Sequence, residues 1–215
     1  MDRITSTCVS VTRLVMGMID NNVYIVDDGE GCFIVDPTCD PDTIMEAVGD
    51  RKVNAIVLTH GHWDHVGAAH ALREATGAEV ICSAIEEPYI NGEKSFDEYT
   101  RCDPCSIDRT VADGDVLEIG DVQLKVIATP GHTPGGICLY TAPTKDRPGY
   151  PVVFSGDTLF AGTHGRVDFE EGNIDDMRES LVKLSYLPPE TVVMPGHNGL
   201  TAIARELGWL KICRL

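Results

Sequence analysis

The stretch "LTHGHWDHVG", residues 58–67, sets three histidines and an aspartate within six positions, His60 to His65, directly after the apolar run 53–58. A lone histidine behind a strand is usually a hydrogen-bonded core residue, but four ligand-type side chains packed this closely are hard to explain that way. His60 and His62 stand at i and i+2. In a loop or extended segment both can reach one ion, whereas on a helix they would point apart. Asp64 and His65 fall at the start of a predicted helix, where they can face a second ion.

Three further apolar runs also end on a potential ligand. "VIATPGH" ends at His132, "VVFSGD" at Asp157 and "VVMPGH" at His197. Strands that each deliver a ligand at their C-terminal ends predict one shared edge, and rigid strands hold ligands within the tolerance a metal site needs. A glycine just before each of these three ligands lets the chain turn sharply. A single zinc takes about four ligands. Five histidines (His60, His62, His65, His132, His197) and two aspartates (Asp64, Asp157) therefore suit two ions with a bridging carboxylate.

The rest of the sequence bounds the setting. At 215 residues, 43% apolar and 24% charged, the chain fits one globular domain, 1–215, able to bury a core. No apolar run approaches the ~20 residues of a membrane span. The N-terminus has no signal-peptide pattern, which predicts a cytoplasmic protein. A net charge of −17, from 34 acidic and 17 basic residues, argues against a nucleic-acid partner. The eight cysteines are scattered, and reduced thiols are expected. Cys102 and Cys105 form the one CxxC pair. It has no second pair beside it, so packing is favoured over redox or metal chemistry.

Patterning predicts strands over 9–15, 22–26, 32–36, 53–59, 78–82, 116–119, 122–128, 136–140, 151–154 and 191–194. Helices are predicted from an Asp40 cap to 48, over 64–76, from an Asn173 cap to about 187, and over 200–211. The segment 86–108 reads as an irregular excursion, expected to overhang the site. Two packed sheets with helices outside fit this order.

With these motifs in hand, the chain resembles the metallo-β-lactamase-fold hydrolase superfamily. The resemblance rests on HxHxDH at 60–65 together with "PGHTPGG", "SGDTLF" and "MPGH". Within it, "SGDTLFAGTHGRVDF" (155–169) is similar to glyoxalase II, the hydroxyacylglutathione hydrolases, and most to short bacterial members without the extra C-terminal helical domain. The resemblance implies an α+β fold, an αββα sandwich of two mixed sheets with helices on the outer faces. It places one zinc on His60, His62 and His132 and a second on Asp64, His65 and His197, bridged by Asp157; iron or manganese could replace zinc. Asp36 would support the ligand loop from behind. A hydroxide between the ions would attack a thioester such as S-lactoylglutathione, with Asp64 orienting it.

Arg166 is the candidate to meet an anionic substrate group. Asn198 and Gly199 stand where long glyoxalase II enzymes carry a Tyr-bearing segment, so the resemblance carries the hydrolytic centre and not glutathione specificity. The expected partner is a small thioester or related ester, with neither membrane nor nucleic acid. Two rivals follow from the same residues. One is a persulfide dioxygenase with a single iron on His60, His132 and Asp157. The other is a non-catalytic metal-binding protein, disfavoured because a structural zinc site is closed and often cysteine-rich.

Overall fold

A computed structural model describes residues 1–96 and 102–212, so Cys213 and part of the 86–108 segment lie outside the described residues. The first half forms a seven-stranded sheet in chain order: β1 (Asp2–Ile4), β2 (Val11–Met16), β3 (Asn21–Asp27), β4 (Cys32–Val35), β5 (Val53–Val57), β6 (Glu79–Ser83) and β7 (Arg109–Val111). β1 to β4 pair antiparallel and β4 to β7 parallel, so the sheet is mixed. The second half gives β8 (Val116–Ile119), β9 (Val122–Ala128), β10 (Ile137–Thr141), β11 (Val152–Gly156), β12 (Val192–Pro195) and β13 (Thr201–Ala202). These are ordered β13-β12-β11-β10-β9-β8, with β11 and β12 parallel.

Three buried clusters define the layers. Tyr24, Phe33, Val57 and Ile81 from the first sheet meet Leu117, Leu124, Val126, Leu139 and Phe154 from the second. The outer face of the first sheet packs on α1 (Pro41–Val48), α2 (Trp63–Val66), α3 (Ala69–Thr76) and α4 (Glu87–Ile90) through Ile34, Ile44, Ile56, Val66, Leu72 and Ile90. The outer face of the second packs on α5 (Ile174–Leu184) and α6 (Ile203–Leu210) through Val153, Leu181, Val193 and Ile203. The result is the αββα sandwich. Its sequence cause is visible in β3, buried almost throughout because both its faces are covered. β9 instead alternates buried and exposed residues along most of its length.

The predicted caps hold. Asp40 accepts the Thr43 N–H, and Asn173 accepts those of Asp175 and Asp176, contacts whose loss typically costs about 0.5–2 kcal/mol. Several boundaries move. The helix predicted over 64–76 is two, α2 and α3, because the backbone of Pro37 and Thr38 docks at the junction. Pro37 accepts the Ala68 N–H at 2.9 Å, and a Cβ on Gly67 would collide with the Thr38 carbonyl. The helix expected to 187 ends at Leu184. The closing helix starts at Ile203, its first residues being taken by β13. β1, β7 and β13 are too short for a period-2 signal. The described part of 86–108 supplies α4. All seven cysteines among the described residues are free. Burial pushes the Cys102 and Cys105 thiols up to about 11, which suits packing rather than reactivity. No helix among the described residues is long and apolar enough to cross a membrane.

Candidate metal centre

The ligand-type residues converge where the two sheets meet at one end. β5 leads into His60, and β9, β11 and β12 lead into His132, Asp157 and His197. The single predicted edge is therefore shared between two sheets. Two glycines make the close approach possible. Gly156 sits at φ 46°, and a Cβ there would strike Thr59; a Cβ on Gly196 would strike both Asp157 and the His65 ring.

Donor atoms fall into the two predicted sets. His60, His62 and His132 form one group and Asp64, His65 and His197 another, each with its donor atoms within 4.8 Å of one another. Asp157 lies between them. Its Oδ2 is 3.4 Å from Nε2 of both His132 and His197, and its Oδ1 is 3.4 Å from Nε2 of His65. Asp64 Oδ2 is 3.2 Å from His197 Nε2 and accepts the Asn21 amide at 2.8 Å. A third grouping, Asp36 with His60 and His65, is also close enough to hold an ion. Asp36 is already committed to hydrogen bonds with Thr59 and His65, which leaves it a supporting role.

The outward ring nitrogens of four histidines are fixed from behind. His132 Nδ1 donates to the Arg166 carbonyl at 2.7 Å, and His197 Nδ1 to the Ile19 carbonyl at 3.1 Å. His65 Nδ1 stands 3.0 Å from Asp36 Oδ2. Thr59 gives its hydroxyl proton to Asp36 at 2.6 Å, so its oxygen can accept from His60 Nδ1 at 3.1 Å. With Nδ1 so engaged, Nε2 of each ring faces inward. Nε2 of His60, His65 and His132, with Oδ1 of Asp157, are buried without a hydrogen-bond partner. Each such atom costs about 1–3 kcal/mol. Shared metal ions would satisfy all four, and the His/Asp clusters fit a dinuclear site.

The electrostatics divide the two sets. Burial, then the neighbouring histidines, holds His60 far below the usual imidazole range and lowers His62 to about 3. His132 is also lowered, burial outweighing the pull of Asp157. Burial acts on His197 too, but hydrogen bonds to Asp157 and Asp64 win and raise it to about 9. Burial would lower His65 as well, but the negative charge of nearby Asp157 and the Asp36 carboxylate on Nδ1 raise it well above the usual imidazole range. Burial would raise Asp64, yet His197, the charge on His65 and Asn21 bring it to about 2. Asp157 lies well below the carboxylate range, with His65 and His197 overcoming its burial.

Around the donors lies a rim drawn largely from the described part of the 86–108 segment, as expected, although its individual residues were not singled out in the sequence. Phe96 and Phe169 flank the His62 ring at 4.6 and 5.5 Å between centroids. A cavity of about 570 Å³ opens beside His62, lined by Trp63, Tyr89, Ile90, Lys94, Phe96 and Cys102 among others. Arg166 is exposed, paired with Asp168 at 2.9 Å, and lies 4.6 Å over the Phe169 ring. Its backbone carbonyl thus holds His132 while its side chain stays outside. Asn21, Thr59 and Glu86 were also missed. Only Asn21 left a trace, in the polar Asn21-Asn22 pair opening an otherwise apolar strand.

Comparison with known proteins gives the same outline. Residues 17–197 match the family described as the metallo-beta-lactamase superfamily. A hydroxyacylglutathione hydrolase of Rhizobium etli is 42% identical over 75% of this chain and 56% of its own length. Hydroxyacylglutathione hydrolase GloC of Haemophilus influenzae is 30% identical over 86% of this chain and 89% of its own. The crystal structure of the BLEG-1 B3 metallo-beta-lactamase superposes with a TM-score of 0.80 at 30% identity, covering 93% of this chain and 99% of that one. That of TTHA1623 in a di-iron-bound form gives 0.76 at 30% identity, covering 91% and 96%.

Proposed function

Because the chain belongs to the metallo-beta-lactamase superfamily, we propose that it is a two-ion hydrolase acting on a thioester of the hydroxyacylglutathione type. The observation that carries the two-ion reading is Asp157. Its two oxygens lie 3.4 Å from ring nitrogens of both donor sets. A single ion on His60, His132 and Asp157 would leave Asp64, His65 and His197 as a second complete set with nothing to hold. The thioester class is supported by the names of relatives 30–42% identical to this chain, one of them matched over 89% of its own length. The donors, imidazole and carboxylate only, suit zinc, iron or manganese, and zinc is the proposed ion.

Divalent ions held there would lower the pKa of a bound water from ~15.7 toward ~7 and draw charge from a carbonyl oxygen. The chain's own residues do the rest. His60, His62 and His132 are neutral at pH 7, so their lone pairs are available without displacing a proton. Asp64 stays ionised and is fixed by Asn21, placed to accept a hydrogen bond from the attacking water and so to aim its lone pair. Phe96 and Phe169 pack their rings against His62 and give one side of the centre an apolar wall. Arg166 can exchange the exposed Asp168 carboxylate for an anionic substrate group at little cost, since such surface pairs are worth about 0–1 kcal/mol.

The experiment is metal analysis of purified protein coupled to S-lactoylglutathione hydrolysis and oxygen uptake. Two ions per chain with thioester cleavage support the proposal. One iron per chain with oxygen consumed on a glutathione persulfide overturns it in favour of a dioxygenase.

A further inference from the structure

Glu86 is fully buried, stands in none of the donor sets, and reaches both loops that carry the first set. Its Oε2 accepts the N–H of Gly61, between His60 and His62, at 2.7 Å. Its Oε1 accepts the N–H of Gly135, three residues beyond His132, also at 2.7 Å. Both partners are glycines, and the space around them shows why. A Cβ on Gly135 would lie 2.8 Å from Glu86 Oε1 and 2.7 Å from Ser83 Oγ, and one on Gly61 would lie 3.2 Å from Glu86 Oε2. The surrounding backbone is tied as well: the Glu86 N–H donates to the Ser83 carbonyl at 3.1 Å, and Ser83 Oγ donates to the Gly135 carbonyl at 2.6 Å. A buried carboxylate survives only when hydrogen-bonded, and here each oxygen takes one backbone donor from a different sheet's loop.

We propose that Glu86 is a positioning residue for the first ion, fixing the separation between the 60–62 and 132–135 loops and so setting the affinity of the His60, His62 and His132 set. The proposal rests on the two-ion reading above and is independent of the substrate. Glu86 touches neither donor atom. It acts by pinning the backbone on which those donors ride, where a small displacement is enough to spoil ligand geometry. The Asp64, His65 and His197 set has its own supports, in Asp36, Asn21 and Ile19.

The test is Glu86→Gln, which keeps the shape but turns an amide N–H₂ toward one of the two backbone N–H groups. Zinc affinity at each set is measured by competition with a chromophoric chelator, and Co²⁺ spectra of the loaded protein report the donor geometry. The expected result is a loss of about 10–100-fold at one ion only, with an altered cobalt spectrum, in a metal-free protein that still folds cooperatively at a somewhat lower melting temperature. Equal loss at both ions, or no loss in a folded variant, overturns the proposal. Should E86Q fail to fold, Ser83→Ala decides. It loosens the same loop by one hydrogen bond and is expected to weaken the same ion by several-fold, and unchanged affinity there overturns the proposal equally. Wild-type protein that never binds two ions would instead remove the premise.

Discussion

Asp36 Oδ2 stands 3.0 Å from His65 Nδ1, with the Thr59 hydroxyl on the same oxygen at 2.6 Å. The carboxylate therefore fixes the His65 ring and, through Thr59, the His60 ring, one from each donor set. Asp36→Asn keeps the shape but removes the charge and offers N–H₂ where an acceptor is needed. It is expected to weaken metal binding at both sets by about 10–100-fold. Chelator competition checks this, and loss confined to one set would refute the shared role.

His62→Ala removes the least buried donor of the first set, a ring with no fixing hydrogen bond among the described residues. Hydrolysis is expected to fall by at least about 100-fold with little change in the melting temperature of metal-free protein. Retention of most activity would contradict the assigned site.

Arg166→Ala removes a side chain but keeps the backbone carbonyl that holds His132. KM for an anionic thioester should rise several-fold, while KM for a neutral thioester and kcat hold steady. Equal effects on both substrates would take Arg166 out of recognition.

Acid should strip the two ions in order. His197 carries its proton up to about 9 and His65 is also raised, so below that pH an ion at the second set must displace protons, and affinity falls by at least about tenfold per unit as pH drops. His62 takes a proton only near about 3, so the first set meets no such competition in the neutral range. Dialysis of loaded protein from pH 8 to pH 5.5, followed by metal analysis, should leave about one ion per chain, on the first set. Loss of both together would refute the ordering.

The stretch from His60 to His65 and the three strand-end ligands were legible because strict chemistry sits on strict spacing. Caps at Asp40 and Asn173 were legible for the same reason. The division of 64–76 into α2 and α3 was not, because its cause is the Pro37–Thr38 backbone from another part of the chain. Glu86 was illegible as well. A glutamate after an apolar strand looks like any solvated turn residue until the fold brings Gly61 and Gly135 to its two oxygens. Arg166 was read for its side chain, whereas its backbone carbonyl makes the contact with the centre, a role that leaves no mark on residue type.

Donors at 60–65 belong to the first sheet's loops, and those at 132, 157 and 197 to the second's. An ion held between them is thus a clasp across the sandwich, and its binding energy is also cohesion between the two halves of the chain. At free metal one hundred times the dissociation constant, each ion would add about 2.7 kcal/mol to the native state. That is a sizeable part of the ~5–15 kcal/mol that keeps a domain folded. Metal supply in the protein's surroundings would then govern its lifetime as well as its turnover.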